Sequence, residues 1–127
     1  MKHDAQFEAL FAQAHTAGIA AGKAAVPQAM IVSEHENPLD DNSAVRKQWY
    51  VDDGVCGFAW VVIRPGTSSF ARWLVKRKLA GKHYRGGISV WVSQFGQSMT
   101  RKQAYASAFA KVLTDAGVKA YSDSRMD

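Results

Sequence analysis

Ten lysines and arginines lie between Gly54 and Thr114 with no aspartate or glutamate among them. They are Arg64, Arg72, Lys76, Arg77, Lys78, Lys82, Arg85, Arg101, Lys102 and Lys111. All eleven acids fall outside this stretch, eight before Gly54 and three after Thr114. A surface shaped by solubility alone intersperses both signs, so this run reads as machinery for holding phosphate or carboxylate. Two aromatic residues stand among the cations, Tyr84 within Lys82-His83-Tyr84-Arg85 and Trp91 a little beyond. Flat rings beside cations are the pairing that stacks bases while neutralising a phosphate backbone.

The chemistry that these residues could carry is therefore binding. Arg72, Lys76, Arg77, Lys78, Lys82 and Arg85 form the candidate anion-contacting set. Arg101 and Lys102 fall at the start of an expected helix, where free N–H groups and two cations would suit a second phosphate. Tyr84 or Trp91 would stack a base. Folding could instead scatter the ten cations over several faces, with acids such as Asp40, Asp41, Asp52 and Asp53 interleaved in space. Trp91 likewise has two readings: packed under a loop or helix, as tryptophans commonly are, or exposed as a platform.

Catalytic and metal chemistry find no pattern. Cys56 lies in the most apolar run of the chain, Val55–Ile63, where a thiol packs rather than reacts. A pair with His83 would need geometry that the sequence does not give. His35 stands near Glu34 and Glu36 without a recognised metal-ligand spacing. Arg85-Gly86-Gly87 lacks the G-x-x-x-x-G-K-[ST] spacing of a phosphate loop. No G-x-S-x-G elbow, paired-cysteine zinc signature or HExxH helix is present. The expectation is a protein without catalytic residues, metal or cofactor.

The elements that must position the cations follow from periodicity. Phe7, Leu10, Phe11 and Ala14 recur at i, i+3, i+4 and i+7, which predicts a helix from Asp4 to about Ala25, closed by Pro27. Gly18 and Gly22 weaken its second half but would let another backbone approach. Ala29–Val32 reads as a short strand, followed by an acidic loop over 33–43. Asp52-Asp53-Gly54 between Gln48–Val51 and Val55–Ile63 signals a hairpin. The second arm, apolar on both alternating faces, predicts a central strand, with Gly57 and Ala59 leaving room for a close helix.

Ser68 or Ser69 caps a helix running to about Ala80, with Gly81 as its C-cap. Ile88, Val90 and Val92 alternate with Ser89, Trp91 and Ser93, the mark of a half-buried strand. Thr100 and Gln103 have the form of a capping box for a helix to about Ala116, ended by Gly117. Val118–Tyr121 is a last short strand, and 122–127 a polar tail. These elements predict one α+β domain over 1–127, with a mostly antiparallel sheet of four to five strands packed on three helices.

Composition agrees with that scale. At 127 residues, 47% apolar and 21% charged, the chain is an ordinary globular length and mix. It carries a net charge of +5, which favours polyanionic partners. One cysteine excludes an internal disulfide, and neither an apolar leader nor a bilayer-length apolar run is visible. The expected setting is the reducing cytoplasm, with no membrane partner.

Gly86-Gly87-Ile88-Ser89-Val90-Trp91-Val92, Gln97-Ser98, Arg101-Lys102-Gln103-Ala104-Tyr105-Ala106 and Ser124-Arg125-Met126-Asp127 resemble a group of short proteins encoded by phages and prophages. Gly57-Phe58-Ala59-Trp60 and Phe70-Ala71-Arg72-Trp73 fit the same group, and the resemblance covers roughly the last seventy residues. It implies a bacterial host cell as the setting, and brings no activity or site residues with it. Two functions are compatible with the basic stretch. One is binding of nucleic acid or another polyanion with little sequence readout. The other is a protein-interaction module, such as a phage inhibitor docking on an acidic host or defence protein.

Overall fold

The computed structural model describes residues 3–26, 30–35, 45–51 and 55–127, the stretches 30–35 and 45–51 by their strand pairing alone. The elements in order are α1 (Asp4–Ala24), β1 (Met30–His35), β2 (Val45–Val51), β3 (Gly57–Arg64), α2 (Ser69–Lys76), β4 (Gly81–Lys82), β5 (Ile88–Trp91), α3 (Met99–Asp115) and β6 (Lys119–Met126). Among the described residues the strands pair antiparallel, in a four-stranded sheet of order β4-β5-β3-β6 and a separate pair β1-β2. This is an α+β fold with three helices, as the periodicity predicts.

β3 is central, paired over its whole length with β6 and over Trp60–Ile63 with β5. The side-chain period of two sends Ala59, Val61 and Ile63 to one face, where they join Ile88, Val90 and Val92 of the neighbouring strand in the core. The helices cover that face. Phe109 and Leu113 of α3, Leu74 of α2 and Ile63 are fully buried, each stabilising by about 1.5–3 kcal/mol. Phe7 of α1 meets Phe70 and Trp73 of α2 at 5.4 and 5.9 Å between ring centroids.

The glycines of α1 serve close approach. A methyl group at Gly18 would lie 2.7 Å from the Tyr105 ring, and one at Gly22 would strike Phe95. Small residues therefore let α1 lie directly on α3. Gly57 does the same for the start of β3, where an added Cβ would meet the Met99 sulfur at 2.6 Å.

Several local expectations are corrected. Gln48–Val51 belongs to β2, which pairs with β1, and β3 pairs with β5 and β6, so among the described residues no ladder joins the two arms of the expected hairpin. The turn residues Asp52–Gly54 themselves lie outside the described residues. Of the expected acidic loop, Ser33–His35 is the end of β1, and the remainder also lies outside. Cys56 is exposed just before β3 rather than packed, bridging to Ser98. α2 stops at Lys76: Lys78 takes the left-handed position at φ 61°, and Gly81 is already in β4. The cap of α3 is Ser98, not Thr100; the Arg101 N–H donates to Ser98 Oγ at 3.3 Å. Ser98 is held there by its bridge to Cys56, while the Met99 N–H bonds the Val55 carbonyl at 3.1 Å. Residues 122–126, expected as tail, are the second half of β6.

Candidate functional site

The sheet face turned away from the helices carries the other parity of residues. Register places Trp91, Trp60 and Asp123 in one row across β5, β3 and β6. Phe58 and Arg125 form the next row, and Ser89, Val62 and Tyr121 the row on the other side. Trp60 is buried, with Trp91 stacked on it at 4.9 Å between centroids and 29° between planes. Phe58 meets Trp91 edge-on at 6.1 Å. Trp91 keeps 50% of its surface exposed. A tryptophan with one side fixed and one side open is a preorganised stacking surface, because its two torsions are already set.

The loop between β4 and β5 forms a wall over this face. Gly87 lies so close to β3 that a Cβ would sit 2.5 Å from the Ile63 carbonyl, and its φ of 76° suits glycine. Arg64 ties the loop down, donating from Nε to the Gly86 carbonyl (3.4 Å) and from Nη2 to the Arg85 carbonyl (3.1 Å). His83 is buried beneath, its ring 4.6 Å from that of Tyr84. Tyr84 is 77% exposed, with the Arg85 guanidinium 5.4 Å from its ring.

Between this loop and β6 opens a cleft of about 450 Å³. Trp60 and Trp91 line it with Lys82, Tyr84, Arg85, Asp123 and Arg125. A second cleft of about 500 Å³ also includes Trp91 in its lining, with Lys78, Phe11, His15 and Tyr105 among others. Trp91 thus lines both clefts, the first with Lys82, Arg85 and Arg125 around it and the second with Lys78 as its one Lys or Arg. In the second cleft His15 Nδ1 and Tyr105 Oη stand 2.6 Å apart, and burial pushes the Tyr105 phenol up to about 12. A phenol held neutral there donates to, or accepts from, the imidazole according to the histidine tautomer.

The sequence-derived candidates separate into groups. Lys82, Tyr84, Arg85 and Trp91 come together around the first cleft, and Lys78 at the second. Arg72, Lys76 and Arg77 lie on or just past α2, with Arg77 3.3 Å from Glu8 of α1 and 5.0 Å above the Trp73 ring. Arg101 donates from Nη1 to the carbonyls of Gly22 (2.9 Å) and Lys23 (3.2 Å), closing the C-terminus of α1. Cations suit that end of a helix dipole. Lys102 is buried, with Nζ 5.6 Å from the Phe58 ring, which Arg125 also approaches at 5.5 Å. Lys111, outside the candidate set, pairs with Asp115 at 3.0 Å.

Pattern does not mark Trp60, Asp123 or Arg125 of the cleft as site residues, and it shows the loop-clamping Arg64 only as one of the ten cations. The alternation of Phe58 and Trp60 against Gly57 and Ala59 is the signal for Trp60; Asp123 and Arg125 became visible only once β6 was paired. Among the described residues no group of three or more His, Cys, Asp or Glu stands close enough to hold a metal. No described helix is long and apolar enough to cross a membrane.

Fold and site together define a small α+β domain whose sheet face away from the helices carries buried Trp60 and half-exposed Trp91, with Lys82, Arg85 and Arg125 beside them. No family model, curated protein or solved structure matches the chain.

Proposed function

We propose that the chain binds single-stranded nucleic acid at the exposed rings and cations on the sheet face turned away from its helices. Trp91 stacks one base, Tyr84 a second, and Lys78, Lys82, Arg85 and Arg125 neutralise the phosphates between and beside them. The half-exposed Trp91, stacked on Trp60 and lining the cleft that holds Lys82, Arg85 and Arg125, carries this reading. Unpaired bases are required, since a base within a duplex offers no free ring face to a side chain. The described elements that form this face include no helix poised for a major groove, so readout is mostly of backbone and stacking.

Titrating salt against the affinity for single-stranded DNA and RNA tests the proposal. Contacts to about four phosphates give a slope of log affinity on log salt near −2.8, about −0.7 for each contact. Replacing Lys82 and Arg85 together by Ala lowers that slope by about 1.4. Absence of binding to both nucleic acids near about 50 mM salt, where such contacts are strong, overturns it. An acidic host protein then becomes the partner to seek, by the same charge complementarity.

A further inference from the structure

We propose that the cleft over Trp60 receives one unpaired guanine and that Asp123 reads its Watson–Crick edge. This rests on the nucleic-acid reading above and adds a base preference at one position of the strand. The observation is a carboxylate where a phosphate site would have none. Asp123 lines the cleft beside Lys82, Arg85 and Arg125, yet no ion pair joins it to any of them among the described residues. Its one hydrogen bond there is the Ser124 N–H donating to Oδ1 at 2.8 Å. The β6 register holds it in the row of Trp60 and Trp91, on the same face as both rings.

A carboxylate repels phosphate and offers acceptors only, about four lone-pair sites on two oxygens. With Trp60 and Trp91 lining the cleft, a base entering it turns its edge to that acceptor pair. Guanine presents two adjacent donors, N1–H and the N2 amino group, which match the two oxygens in parallel. Adenine and cytosine each present one amino donor beside a ring acceptor, and thymine or uracil one N–H between two carbonyls. Recognition of single strands through Watson–Crick edges works by such differences. Arg85 and Arg125 remain for the flanking phosphates.

The test uses thymidine strands of about twelve nucleotides, within the span such sheet surfaces cover, with one central G, A, C or T. Fluorescence anisotropy at fixed salt is expected to give about tenfold tighter binding for the G strand, the discrimination of one good bidentate contact. Asp123→Asn should abolish that preference while the T strand binds as well as before or better, a negative charge having left the cleft. Equal, salt-dependent binding of all four strands to the wild type overturns the guanine pocket and leaves the nucleic-acid reading standing. Failure of every strand overturns both. A G preference that survives in Asp123→Asn, with melting temperature unchanged, removes Asp123 as its reader.

Discussion

Replacing Trp91 by Ala separates stacking from charge. The indole has one face on Trp60 at 4.9 Å and half of its surface open, so it can take one base. Alanine substitution of a stacking ring costs about 1–3 kcal/mol per base, which at about 1.4 kcal/mol per decade is roughly 5- to 150-fold in Kd. Trp91 is uncharged, so the slope of log affinity against log salt should stay where it is. Fold stability falls as well, by roughly 2 kcal/mol, about half the loss for a fully buried tryptophan. Trp91→Leu keeps apolar cover over Trp60 and removes the aromatic face, so it should retain most of the stability and little of the affinity. Anisotropy with a labelled single strand, beside thermal melting by circular dichroism, reads both quantities. A folded Trp91→Ala or Trp91→Leu protein that binds like the wild type refutes the platform, and a changed salt slope refutes the division of labour.

Arg64→Ala should release the loop over 82–87 by roughly 1 kcal/mol, the scale of one net hydrogen bond. Amide exchange at Gly86 would then rise about fivefold while the global melting temperature holds; unchanged exchange would mean that the clamp is idle. Gly18→Ala meets the Tyr105 ring, itself fixed by His15, and should destabilise on the order of 1–2 kcal/mol despite the gain in helix propensity. A stabilised Gly18→Ala protein in denaturant unfolding would show that α1 and α3 are not in close contact there. Because the folded Tyr105 phenol is raised from 10.0 to about 12, its share of stability is intact below about pH 10 and is lost as pH climbs toward 12. Tyr105→Phe should flatten that alkaline decline and cost about 1 kcal/mol at neutral pH, both readable from denaturant midpoints across pH. Ser98→Ala removes the cap of α3 and should cost about 1 kcal/mol, whereas Thr100→Ala should cost much less.

The helices, β3 and β5 were legible because their apolar residues recur at the right period. Phe7, Leu10 and Phe11 mark α1, and the clean alternation of Ile88, Val90 and Val92 marks β5. β6 was half hidden: its inward residues Ser122 and Ser124 are small and polar, hydrogen-bonding across to Ser107 and Gln103 of α3 rather than entering the apolar core. Over Ser122–Arg125 the period of two survives only as polar against charged, which hydropathy does not register. The hairpin signal at Asp52-Asp53-Gly54 was local, while pairing was decided by distant strands competing for β3. At the site, the cations and exposed rings were visible as residue types. Their division was not, because Arg77 finding Glu8 and Arg101 finding the end of α1 join positions 69 and 79 residues apart.

Among the described residues β6 also forms one border of the sheet, with no described strand on its outer side. An eight-residue border of that kind could template a foreign strand. Lys119, Asp123 and Arg125 along it discourage such recruitment, since a newcomer would have to strip water from alternating charges to zip on. The scarcity of grease that disguised this segment thus guards the molecule against polymerising through its own rim.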